Sequence, residues 1–203
     1  MQARVLPFAI LEIMSSQSPI QILALVGLAG SGKSVAVEHL TENGIPKIYF
    51  GGIIYKAMDE AGIEHTWENQ EKFREEIRAR EGKDFVVKRA IKEANGLINA
   101  GQKRIVLDGL YSWSEYRHLK REFPGALTVI AVVTPKHLRK QRLASRPERP
   151  MTSEEVDRRD WTEIENLEKG GPIAIADYFI HNDSTVHALK ERVDTVLHSI
   201  QFI

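Results

Sequence analysis

Apolar residues along this chain gather into short runs separated by longer stretches of helical spacing. Residues 22–26 (ILALV), 47–50 (KIYF), 105–107 (IVL), 127–133 (LTVIAVV) and 178–180 (YFI) read as five strands. Val35, Ala36, Val37 and Leu40 continue at helical spacing until Gly44 and Pro46 stop that helix. A polar helical region follows over about 53–80, with a turn near Gly62. Asp84 is a capping residue for the next helix, whose Val87, Ile91, Ala94 and Ile98 fall on one face before Gly101 ends it. Ser112 and Glu115 form a capping-box pair ahead of Tyr116, Leu119 and Phe123, and Pro124-Gly125 breaks the helix. Thr134-Pro135 reads as an N-cap followed by a first-turn proline, and two prolines interrupt that helix over 146–150. Thr152 with Glu155 opens a highly charged helix predicted to reach about Lys169. Val186, Leu189, Val193, Val196 and Ile200 stripe a terminal helix in the manner of core packing. Strands that alternate with helices imply an α/β fold with a parallel sheet covered on both faces.

The junction after the first strand carries the most specific chemistry. Gly27, Gly32, Lys33 and Ser34 match the G-x-x-x-x-G-K-[ST] pattern of a phosphate-binding loop (Walker A). Glycines there adopt dihedrals that a Cβ resists, and their N–H groups close around phosphate oxygens. The backbone of Ala29, Gly30, Ser31, Gly32, Lys33, Ser34 and Val35 is the candidate cradle. Lys33 reaches the terminal phosphates and the Ser34 hydroxyl is a Mg²⁺ ligand candidate. A chance glycine turn would lack the strand before it and the helix after it, whose positive dipole end faces the same anion.

Asp108 closes the third strand, and ligands of open α/β sheets sit beyond such strand ends. It is therefore a Walker-B-type candidate, for metal or for orienting a phosphoryl acceptor, against the alternative of a simple cap in the Asp108-Gly109 turn. Arg139, Arg142, Arg146, Arg149, Arg158 and Arg159 concentrate over a helical hairpin with prolines at its tip. Such a hairpin suits a closing lid over about 139–169, although nearby acids could equally make it a solvated helix pair. Arg142 and Arg146, one turn apart, are the best catalytic candidates, because guanidinium neutralises migrating phosphoryl oxygens.

Composition narrows the setting. Within 203 residues, Lys plus Arg and Asp plus Glu number 28 each, so no net charge favours nucleic acid. The absence of cysteine excludes disulfides and thiolate metal sites and fits a reducing compartment. Residues 1–19 combine one early Arg and an apolar stretch with Pro7 and Glu12, and read as a flexible extension of a cytoplasmic protein. The remaining 20–203 form one domain, with no apolar run able to span a bilayer. The seven histidines show no metal-ligand spacing, and the three tryptophans read as packing residues, Trp113 being set apart by its proximity to Asp108.

Together these residues resemble the nucleoside-monophosphate-kinase-like branch of P-loop proteins. The C-terminal third is similar to dephospho-CoA kinase in Gln141-Arg142-Leu143 with Arg146, then Ala176-Asp177-Tyr178 and Asn182. More closely, the chain resembles a largely archaeal family of dephospho-CoA- or adenylate-kinase-like proteins. That likeness rests on Phe50-Gly51, the Asp108-Gly109 turn followed by Ser112 and Glu115, and residues 175–180 with Asn182-Asp183. The resemblance spans about residues 22–197. It implies a three-layer P-loop NTPase fold with a five-stranded parallel sheet, an acceptor-binding helical region, an Arg-bearing lid, and Asn182 near the adenine of ATP. One departure stands out: the family usually has an Asp directly after the glycine, where this chain has Gly52. Asp108 is then the main carboxylate left to orient an acceptor.

The resulting expectation is an ATP- and Mg²⁺-dependent kinase of a small nucleotide-like acceptor, such as a nucleoside monophosphate or dephospho-CoA. The alternative is a nucleotide-binding switch with slow ATPase activity that works through a protein partner. A GTPase is disfavoured because no Asn-Lys-x-Asp motif is present.

Overall fold

Alternation within the first strand sorts its side chains between two cores. A computed structural model describes residues 19–203, so the extension expected over 1–19 lies, apart from Pro19, outside the described residues. Strand β1 (Gln21–Val26) sits at the centre of a five-stranded, all-parallel sheet of order β2-β3-β1-β4-β5. Its neighbours are β3 (Arg104–Asp108) and β4 (Leu127–Val133); β2 (Lys47–Tyr49) and β5 (Tyr178–His181) form the edges. Ile22, Ala24 and Val26 face one hydrophobic core, whereas Leu23 and Leu25 face the other. Burial on both faces explains the continuous apolar runs, each large aliphatic side chain contributing about 1.5–3 kcal/mol.

Helices α1 (Lys33–Glu42) and α9 (Val186–Ser199) cover the Leu23 and Leu25 face through Ala36, Val37, Leu40, Leu189, Val193 and Leu197. The opposite face takes α2 (Phe50–Glu60), α3 (Trp67–Glu81), α4 (Phe85–Asn99) and α5 (Trp113–Glu122). Helices α6 (Lys136–Ala144) and α7 (Ser153–Glu165) pack on each other, and a short α8 (Gly170–Ala174) leads into β5.

Several local expectations change. Phe50 joins α2 rather than the preceding strand, while the polar region breaks into two helices at the turn expected near Gly62. Asp84 occupies its N-cap position but makes no side-chain cap bond, because its carboxylate takes Ser114 Oγ at 2.7 Å and His118 Nε2 at 3.0 Å. Pro135, not Thr134, is the N-cap of α6. The charged helix stops at Glu165 instead of reaching Lys169, and α8 follows where no element was expected. Both capping boxes, Ser112 with Glu115 and Thr152 with Glu155, form as the sequence predicts.

Candidate functional site

Strand order reverses around β1, which opens a crevice at the carboxyl ends of β1, β3 and β4. The loop over 27–32 spans that crevice and feeds α1. Gly32 is the N-cap of α1 with φ 93°, and no side chain caps the helix or adds an acid to its first turn. The first amide groups of α1 are thus left to an external acceptor, the arrangement that binds anions at helix N-termini. A Cβ on Gly32 would strike the Asn182 amide, so glycine is required sterically as well as conformationally.

The loop is braced from the far side of the sheet. Asn182 Nδ2 donates to Ser31 O at 2.8 Å, and Thr134 Oγ1 lies 3.0 Å from Ser31 O and 2.9 Å from Asn182 O. Asn182, which the resemblance assigned to the adenine region, is therefore engaged with the phosphate loop itself. Ser31 Oγ is buried with no partner, an orphaned polar atom in the cradle. Ala29 O accepts from Arg139 Nη1 at 3.1 Å, Val35 packs on the α1 core, and Ser34 is exposed on the first turn.

Asp108 follows from alternation. Val106 shares the face covered by α1, so Asp108, two residues on, points toward the N-terminus of that helix. Its Oδ1 lies 2.5 Å from Lys33 Nζ, and the residue is 8% exposed. Carboxylate and hydroxyl are the hard oxygen donors that suit Mg²⁺, an ion that keeps water and phosphate in its shell rather than a full protein cage. Among the described residues no cluster of three or more acids or histidines supplies such a cage. Ser34 and Asp108 are thus a donor set that fits the ion only alongside phosphate.

Tyr111 folds back over Gly109, where an added Cβ would meet the ring at 2.6 Å. Lys33 Nζ lies 5.9 Å and Lys169 Nζ 5.0 Å from that ring's centroid. Burial, reinforced by Tyr49 and Asp108, drives the Tyr111 phenol well above its ordinary pKa, so it remains a donor. Burial also lifts Glu115 to about 7, although its Oε2 accepts from Tyr111 N at 2.7 Å and Ser112 N at 3.0 Å.

On the neighbouring edge strand, Tyr49 is register-paired with Asp108 and 45% exposed. Its ring lies across the first turn of α2: a Cβ on Gly51 would meet Cζ and Oη at 2.5 Å, and one on Gly52 would meet Cδ1 at 3.0 Å. The bare glycines make room for the ring. Trp113 stacks on Tyr116 at 5.2 Å and, with Ile164, Glu168, Gly170 and Gly171, lines a cavity of about 200 Å³.

The arginines separate into different roles. Arg139 is buried in a bidentate pair with Asp160, at 2.8 and 2.6 Å, and belongs to the framework. Arg142 leans on Thr134 Oγ1, Asn182 Oδ1 and Ser184 O at 3.4–3.5 Å. Arg146 is exposed in the turn beyond α6, so the two candidates are not brought together by a shared contact. Sequence reasoning missed Lys169 and Tyr111. A lone lysine and a tyrosine outside any motif carry no periodic signal, and only the Asp108-Gly109 turn hinted at the latter.

A family model described as an AAA domain matches residues 23–168. The UPF0200 protein of Thermococcus onnurineus (strain NA1) is 32% identical over 182 residues, covering 88% of this chain and 97% of the relative. Among solved structures, shikimate kinase from Bacteroides thetaiotaomicron superposes with a TM-score of 0.56 at 11% identity, covering 89% of this chain and 98% of that one. Dephospho-CoA kinase from Campylobacter jejuni gives 0.54 at 20% identity, covering 88% and 96%. The five-stranded parallel sheet is thus the fold of P-loop kinases, and no described helix is long and apolar enough to cross a membrane. With its AAA domain and its match over nearly the whole length of such a relative, this chain belongs to the UPF0200 family.

Proposed function

We propose that this chain is an ATP-dependent phosphotransferase acting on a small nucleotide-like acceptor, a nucleoside monophosphate or dephospho-CoA. The carrying observation is the contact of Lys33 with Asp108 at the uncapped N-terminus of α1. An arriving triphosphate competes for Lys33, which moves to the β- and γ-phosphates and releases Asp108. Amides of residues 30–34 hold the same oxygens. Freed, the Asp108 carboxylate accepts a hydrogen bond from the acceptor and aligns its oxygen with the γ-phosphorus. The new P–O bond forms as the bond to the β-phosphate oxygen breaks, and ADP departs; a hydroxyl acceptor gives up its proton to solvent or to Asp108. Mg²⁺, held by Ser34 and Asp108 with the phosphates, would neutralise charge on the transferred group. Arg139 is nearer the phosphate loop but is committed to Asp160, which leaves Arg142, beside Thr134 and Asn182, as the candidate lid cation; Arg146 would join it only if the turn after α6 closes over the site. Asn182 holds the loop in shape and borders the nucleotide.

The likeness to dephospho-CoA kinase and other small-molecule kinases supports the phosphotransferase class, and the Tyr49 ring beside Asp108 supports an acceptor with a flat or hydroxylated surface. A coupled assay across nucleoside monophosphates, nucleosides and dephospho-CoA tests the reading. Acceptor-dependent ADP release is the expected result. Tight ATP binding that no acceptor influences would instead identify a slow ATPase switch.

A further inference from the structure

We infer that Lys169, at the junction between α7 and α8, is a second cation for the terminal phosphoryl group, near the same Tyr111 ring as Lys33. The inference rests on the kinase reading and adds a residue to the same site.

Lys169 is only 3% exposed, yet it lies on a connecting segment where lysine normally keeps its ammonium in water. Glu163 anchors it twice: Lys169 N donates to Glu163 O at 3.1 Å, and Nζ lies 2.8 Å from Glu163 Oε2. Glu168, just before it, has φ 53°, a left-handed conformation that is strained for a non-glycine residue. The chain therefore accepts backbone strain and the desolvation of an ammonium at one point.

A structural clamp between α7 and α8 would explain the Glu163 bonds alone. It does not explain why the ammonium also sits against Tyr111, whose ring already has Lys33 near it. An ammonium has three donors, and one carboxylate oxygen and one ring face leave capacity for an anion. Asp108 is the partner of Lys33 and Glu163 that of Lys169; a polyanion that takes Lys33 from Asp108 would meet both ammonium groups, and its charge offsets their mutual repulsion. Desolvation lowers the Lys169 pKa, Glu163 raises it, and Lys33 lowers it further, which is consistent with two cations sharing one pocket.

The arginines leave this position open. Arg139 is committed to Asp160, Arg142 lies on the Asn182 side, and Arg159 Nε binds Glu163 Oε1 at 3.0 Å. Glu163 thus holds Arg159 and Lys169 on its two oxygens. Lys169 is assigned to the γ-phosphoryl group because it lies near Lys33, the residue expected at the terminal phosphates.

Calorimetry on the full chain with Mg²⁺ separates this from a structural role. Lys169→Gln is expected to weaken a non-hydrolysable ATP analogue by about tenfold or more while leaving ADP affinity within about twofold, and Lys169→Arg should restore most of the difference. Equal weakening of both nucleotides, or of neither, overturns the inference. Lys33→Ala serves as the control for the underlying reading: if it leaves both nucleotides bound as before, the kinase assignment fails rather than the role of Lys169. Should Lys169→Gln not fold, ¹³Cε-lysine NMR of the unsubstituted chain decides, with the signal assigned from Lys169→Arg. A Lys169 shift that moves with the analogue but not with ADP supports the inference; identical or absent movement overturns it.

Discussion

Lys33 and Asp108 neutralise each other across 2.5 Å, so removing either partner leaves a charge in a half-closed crevice. Lys33→Ala should lower ATP affinity by roughly 100-fold and abolish acceptor-dependent turnover, with the far-UV circular dichroism unchanged. Turnover at the unsubstituted rate would refute its role. At Gly32 the conflict is steric, since a Cβ meets the Asn182 amide and must also adopt φ 93°. Gly32→Ala is expected to cost about 1–3 kcal/mol in denaturant unfolding and to weaken nucleotide binding together with stability. Glycine-to-alanine at Gly44, where nothing lies within 4 Å, meets no such contact. The phosphate-loop residues were legible from spacing alone. Tyr49 over Gly51 and Gly52 was not, because the sequence indicates a missing acid at Gly52 but not the ring that fills its space.

Elements carry their own consequences. The N-terminus of α5 is held by Glu115, whose pKa burial raises to about 7 from an ordinary value of 4.5. Between those values the folded chain binds the proton more readily than the unfolded one, so this group's contribution to stability falls as pH rises through about 7. Glu115→Gln keeps an acceptor for the Tyr111 and Ser112 amides without the charge. Thermal melts from pH 5 to 8 should therefore show the difference between the two proteins shifting toward the variant as pH rises; a constant difference would contradict the assignment. The pairing of α6 with α7 rests on Arg139 and Asp160, which also reach the phosphate loop through Ala29 O. Arg139→Ala leaves Asp160 buried and unpaired, at an expected loss of about 3–5 kcal/mol in chemical denaturation. The capping boxes of α5 and α7 were legible because they are local. The boundaries of α6 and α7 were not: Thr134 is drawn from capping to the Ser31 and Asn182 carbonyls, and the turn at Glu168 ends the charged pattern early.

Across the whole molecule, the phosphate loop joins parts of the chain that are distant in sequence. Asn182 and Ser31 are bonded across 151 positions, and Arg139 reaches Ala29 across 110. If α6 and α7 close over bound nucleotide, amides at 151–155 should exchange hydrogen several-fold more slowly with a non-hydrolysable ATP analogue than without it, while those of β1 remain unchanged. Equal exchange in both states would deny the hairpin a lid function. The sequence by itself determined the strand-loop-helix that forms the cradle, the parallel alternation of strands and helices, and the carboxylate at the end of β3. Those features depend on periodicity and on neighbours within a few positions. Only the tertiary structure decided that Asn182 and Thr134 brace the loop, that Arg139 serves the framework, and that Lys169 lies beside the Tyr111 ring. Such meetings follow from strand order and helix packing, which bring remote side chains together without leaving any local pattern in the chain.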